Sequence, residues 1–303
     1  MRIRAIELQG VRGLPSRTWD FPRTSDADVI VVTGPCASGK TTFLDALVAA
    51  KEKVAPYGAG DSRWARLIPE GKRAAKVVLS WETDATERER LHLEEELVST
   101  EAIIGDALAP PARYPKAITS LLGTLSDEPY GRVFYLHDTR QLPTPVSFGA
   151  DESGRTHRLT SRNQKFVDVY PLLTLPELAQ ARARASQYLG SLFPDLEVKG
   201  VVLQSGTYEP MLASRGSGAL RPFSTLSASE RQATLIALHL ARVEPARSVI
   251  LVDTPELAFG EEGAVRLLRA MLSWGHDNQL ILATASKSLA SAVPASRLVE
   301  LSA

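Results

Sequence analysis

Four residues, Gly34, Gly39, Lys40 and Thr41, stand in the order G-x-x-x-x-G-K-[ST], which is the phosphate-binding P-loop pattern. In such a loop, successive backbone N–H groups and the N-terminus of a helix form a concave anion site. We expect the lysine to reach the β- and γ-phosphates of a nucleotide and the Thr41 hydroxyl to bind Mg²⁺. The predicted phosphate-binding residues are Gly34, Pro35, Cys36, Ala37, Ser38, Gly39, Lys40, Thr41 and Thr42.

The segments on either side of this loop have the hydrophobic patterns that a P-loop requires. The apolar, β-branched run "DVIVVTG" (28–34) predicts a buried parallel strand. The run "KTTFLDALVAAKEK" (40–53) predicts a helix, because its apolar residues share one face: Phe43, Leu44, Leu47 and Val48. The order of strand, loop and helix makes a chance match of the pattern a poor explanation.

A second candidate group is the carboxylate of Asp253, at the end of the apolar run "SVILVD" (248–253). A carboxylate at the C-terminal edge of a parallel sheet, beside a P-loop, can hold the Mg²⁺ shell of a bound nucleotide. The alternative is an ordinary aspartate that ends a buried strand. Because the P-loop is present, we favour the metal-binding interpretation.

The alternation of strands and helices at both ends of the chain predicts an α/β fold, a mostly parallel sheet covered by helices. Between these ends, "AAKVVLSWETD" (74–84) and "ERLHLEEELV" (89–98) predict strands of an antiparallel meander. A polar, proline-containing connection follows at 141–154, then a helix at 174–195 and a hairpin at 196–216. The chain contains no long heptad array.

The composition limits the classes of protein to consider. The chain has 303 residues, 35 Lys+Arg and 35 Asp+Glu, so no net positive charge attracts nucleic acid; a local basic patch stays open. One cysteine excludes an internal disulfide and favours a reducing compartment. Neither a signal peptide nor a run of about 18 apolar residues is present, so we expect a cytoplasmic protein without a membrane span.

A third motif begins at Ser227. Ser227 and Glu230 have the S-x-x-E spacing of a helix capping box, and taken alone they indicate a structural cap. The surrounding "LSASERQ" (226–232), however, resembles the signature motif L-S-x-G-[EQ]-[RQ] of ABC-type ATPases. Ser229 occupies the position of the signature glycine.

The resemblance extends over nearly the whole chain, to the ATPase heads of the RecF/SMC/OLD-like branch. "MRIRAIELQGVRGL" followed by "VIVVTGPCASGKTTFLDAL" resembles the opening of such heads. "LVDTPELAFG" resembles their D-E-P-E-x-x-L-H motif, and "QLILATASKSL" resembles their last strand and switch. The resemblance implies one head over 1–303: an N-terminal P-loop part (1–50), an inserted β/α subdomain (51–215), and a part with the signature and the Walker B strand (216–303).

The resemblance also implies a mechanism. In this family ATP and Mg²⁺ bind between two heads, and the P-loop of one faces the signature helix of the other, so ATP drives dimerisation. Ser227 would then donate its hydroxyl to the nucleotide of a second chain, identical or not. Arg12 matches a family arginine near the nucleotide, although a surface salt bridge would also explain it.

Two departures from the family pattern affect hydrolysis. The glutamate that polarises the attacking water is replaced by Thr254, and the switch histidine is replaced by Ala285. Glu256 is the local carboxylate that could substitute as a base, although it is shifted by two residues. We therefore predict a nucleotide-gated switch for an unidentified protein partner, with weak or absent hydrolysis.

Two alternatives remain open: an active ATPase coupled to nucleic-acid processing, with Glu256 as base, and a structural protein with a relic P-loop.

Three further candidate residues each have two interpretations. Cys36 is either a reactive thiol or a small residue that fits the loop. Arg182 and Arg184 either contact nucleic acid or belong to a solvated helix face; we favour the latter.

Overall fold

The computed structural model describes residues 1–23, 28–57, 62–105, 112–123, 131–142, 159–160, 166, 169–204 and 207–302. The strands are β1 (Arg2–Gln9), β2 (Arg17–Asp20), β3 (Val29–Thr33), β4 (Ala75–Glu82), β5 (Leu97–Ile104), β6 (Ala112–Arg113), β7 (Val133–Leu136), β8 (Leu196–Gln204), β9 (Thr207–Ser214), β10 (Leu220–Pro222), β11 (Val249–Asp253), β12 (Gln279–Ala283) and β13 (Leu298–Glu300). The α-helices are α1 (Lys40–Val54), α2 (Ala85–Leu91), α3 (Ala117–Leu122), α4 (Val169–Thr174), α5 (Ala179–Leu192), α6 (Ala228–Val243), α7 (Gly260–Leu272) and α8 (Lys287–Ala290).

A five-stranded parallel sheet, in the order β13-β3-β12-β11-β7, forms the centre of the fold. Every residue of β11 and β12 is buried, as expected for parallel strands covered on both faces. Val249 and Leu251 face a core that contains α1, whereas Ile250 and Val252 face a core that contains α4 to α7. The period-two alternation therefore places a separate hydrophobic core on each side of the sheet.

An antiparallel sheet in the order β2-β1-β4-β5-β6 packs on the other side of α1. Its strands alternate between buried and more exposed positions, which is the pattern of a sheet with one face on the core. A second antiparallel sheet, β10-β9-β8, contains the predicted hairpin and packs against α4 and α5.

The strand predicted at 89–98 is wrong over most of its length. Residues 85–91 form α2, and β5 begins only at Leu97. The helix starts there because Asp84 caps it: the Asp84 side chain accepts from Glu87 N, and the Glu87 side chain accepts from Asp84 N. Burial alone would raise the pKa of Asp84, but the Glu87 N–H and the guanidinium of Arg247 hold that pKa below its usual range.

The segment "GRVFYLHDTR" (131–140) contains β7, which joins the edge of the parallel sheet beside β11. The loop after β7 thereby reaches the edge where Asp253 lies. The predicted polar connection at 141–154 lies, from residue 143 onward, outside the described residues. None of the helices in the described part of the chain has the length and apolar content that a bilayer crossing requires.

Candidate functional site

The carboxyl ends of three central strands bring the predicted residues to one edge of the parallel sheet. Asp253 pairs in register with Ala283, and Ala283 pairs with Val32, just before the P-loop. With about 4.8 Å between neighbouring strands, the Asp253 and Val32 backbones lie roughly 10 Å apart. The loop that follows β3 and the Asp253 carboxylate therefore lie on the same edge.

Two positions in the P-loop require glycine. Gly39 is the N-cap of α1 with φ 92°, in the left-handed region. Gly34 has φ 154°, and a Cβ there would lie 2.3 Å from the carbonyl oxygen of Leu301 and 2.6 Å from Ser38 Oγ. These contacts are too short for any side chain, so the loop can adopt this path only with glycine at position 34.

The interior of the P-loop carries polar groups that suit a phosphate. Lys40 Nζ folds back over the loop and donates to the carbonyl oxygens of Gly34 (2.8 Å) and Pro35 (2.7 Å). Ser38 Oγ is buried and has no hydrogen-bond partner among the described residues. A buried polar group without a partner is rare, and a phosphate oxygen would satisfy it. The loop therefore fits a nucleotide phosphate.

A cavity of about 310 Å³ opens beside the P-loop and contains two arginines: Arg12, which the sequence predicted, and Arg66, which no motif indicated. The backbone joins their segments, since Arg12 N donates to Leu67 O (2.8 Å). The cavity adjoins the first turn of α1, where the remainder of a nucleotide held by the loop can lie. It is lined by Arg12, Gly13, Ala37, Gly39, Thr42, Asp45, Arg66 and Leu67.

The described residues contain no group of three or more His, Cys, Asp or Glu side chains that could hold a metal by themselves. Mg²⁺ beside a nucleotide needs no such group, because it keeps several waters and binds substrate phosphates with one or two protein ligands. Asp253, which is buried at the sheet edge, and the Thr41 hydroxyl are of the required oxygen type.

Arg140, in the loop after β7, is a site residue that the sequence did not reveal. Its buried guanidinium donates to the carbonyl oxygens of Asp253 (2.9 Å) and Thr254 (3.0 Å). Burial lowers the pKa of Arg140 to about 10, and the charge of Asp253 is the largest opposing effect. Arg140 is therefore a cation at neutral pH, held directly behind the proposed metal-binding aspartate.

Thr254 and Glu256, just after β11, both hydrogen-bond to the end of the neighbouring strand β12 and the residues that follow it. Thr254 has φ 45°, an unusual conformation for a β-branched residue, and its N–H donates to Ala283 O (2.8 Å). Glu256 accepts from the Thr284 hydroxyl through one carboxylate oxygen (2.7 Å) and from Ala285 N through the other (2.8 Å). Both oxygens of Glu256 are thus engaged with the segment that carries Ala285.

The capping box predicted at Ser227 is confirmed. Ser227 Oγ accepts from Glu230 N (3.3 Å), and Glu230 accepts from Ser227 N (2.8 Å). Arg221 pairs with Glu230 through two nitrogens; burial alone would raise the pKa of Glu230, but these bonds lower it. Ser227 is exposed and Ser229 is partly exposed, so the N-terminus of α6 is open to a ligand or a second chain.

Comparison with known proteins identifies solved structures of similar fold. No protein-family model matches the chain, and no curated protein matches its sequence. A crystal structure of the SMC head bound to the C-winged helix domain of ScpA matches with a TM-score of 0.60 and 14% identity, covering 95% of this chain and 91% of that chain. The SMC head domain from Thermotoga maritima matches with a TM-score of 0.53 and 16% identity, covering 97% and 92%. The fold is that of an SMC head.

The predicted fold class is therefore confirmed: an SMC head-like α/β fold with a parallel sheet, antiparallel strands and covering helices. The longest helix in the described ranges, α6, has 16 residues, so no long coiled coil is present there. At 14–16% identity the likeness establishes the fold and leaves the roles of the site residues as predictions.

In this SMC head-like fold, Arg182 and Arg184 of α5 have structural contacts. Arg182 donates to the carbonyl oxygens of Leu172 (3.2 Å) and Leu173 (3.3 Å) in α4. Arg184 binds Glu244 just after α6 (2.6 Å). Both side chains are half-buried, so they hold helices together in addition to facing solvent.

Proposed function

We propose that this chain is an ATP-binding head that dimerises on Mg·ATP and acts as a nucleotide-gated switch for a protein partner, with slow hydrolysis or none. The observation that carries the proposal is the arrangement at the sheet edge. A loop that needs glycine at position 34 and contains the unsatisfied hydroxyl of Ser38 lies on the same edge as the buried carboxylate of Asp253.

The proposal assigns each group a role. Lys40 and the backbone N–H groups of residues 34 and 36–42 bind the phosphates, and Thr41 with Asp253 binds Mg²⁺. Arg12 approaches the nucleotide from the adjoining cavity. Ser227 and Ser229 contact the nucleotide of a second chain, because a helix N-terminus with accessible hydroxyls is a favourable anion site.

Slow hydrolysis follows from the groups that are missing or already engaged. Thr254 cannot act as a general base near neutral pH, and the Ala285 side chain cannot hydrogen-bond the γ-phosphate. Glu256 uses both carboxylate oxygens to hold the Thr284–Ala285 segment. Because a positioned base contributes about 10²–10⁴-fold in rate, we expect less than roughly one ATP hydrolysed per minute.

The partner is proposed to be a protein. Support comes from the SMC head that was solved with the C-winged helix domain of ScpA, a head of the same fold bound to another chain. The sole cysteine favours a cytoplasmic setting. The equal numbers of basic and acidic residues give no net charge that would attract nucleic acid. The dimer itself is formed either by two copies or with a second, different head.

Light scattering of the purified chain with and without Mg·ATP tests this function. We expect a monomer without nucleotide, a two-fold dimer with ATP, and a melting temperature that rises with ATP concentration. Lys40→Ala should lose both effects, and Ser227→Arg should keep the thermal shift but lose the dimer. No thermal shift at millimolar ATP would refute the proposal; a shift without a dimer would point to a different second head.

A second candidate function, an ATPase coupled to nucleic acid, is favoured by one surface. An open cleft of about 570 Å³ between α5 and β8 contains Arg182, Lys199 and Arg215, with Glu197 as the acidic residue. Three cations against one carboxylate suit a phosphate backbone. DNA-stimulated hydrolysis that is lost in Arg215→Glu would support this function, and DNA-independent turnover would exclude it.

A further inference from the structure

Arg140 and Gln232 form a bridge between the signature helix α6 and the end of β11. Arg140 Nε donates to Gln232 Oε1 (2.7 Å), and Gln232 Nε2 donates back to the carbonyl oxygen of Arg140 (2.9 Å). The remaining nitrogens of the same guanidinium donate to the carbonyl oxygens of His137 (3.0 Å), Asp253 (2.9 Å) and Thr254 (3.0 Å). We call these two residues the Arg140–Gln232 bridge.

The bridge is suited to transmit a displacement. A guanidinium is planar and its donors have fixed directions, so four simultaneous contacts define both its position and its orientation. Arg140 is almost fully buried, and a buried cation is strongly penalised when it loses its partners. A shift of Gln232 must therefore move the guanidinium and, with it, the backbone at Asp253 and Thr254.

In the proposed dimer, Gln232 and Arg140 lie near groups that contact two different nucleotides. Gln232 lies five residues after Ser227, on the same rigid helix, and Ser227 faces the nucleotide of the second chain in the proposed dimer. Asp253 serves the nucleotide held by the P-loop of its own chain. The bridge thus connects, within one chain, the two composite sites of a dimer.

We infer that Arg140 is a positioning residue that couples these two sites: contact of α6 with the second chain's nucleotide sets the backbone position of Asp253, and Mg²⁺ loading at Asp253 sets the position of α6. This inference rests on the proposed function. The coupling is a free energy shared by two sites, so it must act in both directions.

Gln232→Ala tests the coupling, because it removes the link to α6 and leaves every proposed ligand in place. Losing a hydrogen bond to a charged group should weaken ATP-dependent dimerisation about tenfold and raise the Mg²⁺ concentration for half-maximal dimer by a similar factor. ATP binding by the monomer, measured with the added Ser227→Arg substitution, should be unchanged. Gln187→Ala, an exposed glutamine on α5, is the control and should match wild type in every measurement.

Two further variants make the result decisive. Gln232→Glu keeps the acceptor for Arg140 Nε but loses the donor to the Arg140 carbonyl oxygen, so it should restore dimerisation only in part and still exceed Gln232→Ala. Arg140→Lys cannot make the forked contacts and should resemble Gln232→Ala. A purely structural role would lower the melting temperature of Gln232→Ala without changing its Mg²⁺ requirement, and that outcome would overturn the coupling while leaving ATP binding and dimerisation standing. A wild type that binds no ATP would instead overturn the proposed function, and the coupling with it.

Discussion

Replacing Glu256 by glutamine distinguishes a structural role of this carboxylate from a catalytic one. The two Glu256 oxygens accept from the Thr284 hydroxyl and from Ala285 N at 2.7 and 2.8 Å. A glutamine has one acceptor oxygen, so one of these two donors loses its acceptor; Thr284 is fully buried, and its hydroxyl oxygen also accepts from Ser286 N (2.9 Å). Leaving a buried polar group unsatisfied costs about 1–3 kcal/mol.

This cost corresponds to a measurable thermal shift. With an unfolding entropy of about 2.1 cal/mol/K per residue, a chain of 303 residues should melt about 2–5 °C lower in the Glu256→Gln variant. Its basal ATP hydrolysis should stay within about twofold of wild type, because both Glu256 bonds are made to protein groups and a bond that is the same in the ground and transition states does not change the barrier. Calorimetry and a phosphate-release assay measure the two quantities on the same preparation.

Glu262→Gln is the matched control, since Glu262 is exposed on α7 and its variant should melt like wild type. The reasoning would be refuted by the opposite pattern: an unchanged melting temperature with a fall in turnover of about 10²-fold or more, the factor expected for loss of a general base. Glu256 would then be the base, and the chain would be an active ATPase.

Four other results are expected. Cys36, the sole cysteine, is exposed in the P-loop, so Mg·ATP at ten times its Kd should slow alkylation of Cys36 about tenfold; unchanged labelling would contradict binding there. Gly34→Ala should abolish the ATP-induced thermal shift, whereas Gly216→Ala, whose Cβ meets nothing within 4 Å, should retain it. Asp84 has a lowered pKa, so its carboxylate stabilises the fold above about pH 4, and this contribution is lost as the pH falls through the folded-state pKa. The melting temperature of Asp84→Asn should therefore fall less on acidification than that of the wild type. Thr254→Glu should raise basal hydrolysis about 10²-fold or more in a phosphate-release assay, and an unchanged rate would show that the missing carboxylate does not limit turnover.

The sequence predicted those features that depend on neighbouring residues. The strand, loop and helix around the P-loop, and the Ser227–Glu230 capping box, are patterns of a few consecutive positions, and the structure contains both. The error at 89–98 has the same origin. The apolar residues around Leu93 alternate like a strand, but the capping pair Asp84 and Glu87 lies just upstream and starts a helix instead.

The residues that the sequence did not reveal acquire their roles through distant contacts. Arg140 reaches the Asp253 carbonyl across 113 positions of the chain, and no spacing rule relates the two. Arg66 enters the cavity through a short 3₁₀ segment, Ser62–Leu67, that matches no motif. Even the need for glycine at position 34 depends partly on Leu301, which returns to the P-loop at the far end of the chain.

Thr254 shows how contacts of the backbone fix the geometry at the end of β11. A left-handed backbone at a β-branched residue costs about 1–3 kcal/mol and persists only where the surroundings fix it. Both sides of Thr254 are fixed: its N–H donates to Ala283 O (2.8 Å), and its carbonyl oxygen accepts from Arg140 (3.0 Å). Its hydroxyl is buried and has no partner among the described residues. The backbone of position 254 therefore holds Asp253 beside the neighbouring strand end, whichever side chain stands there, and this separates the geometry of the edge from the hydrolysis rate that Thr254→Glu tests.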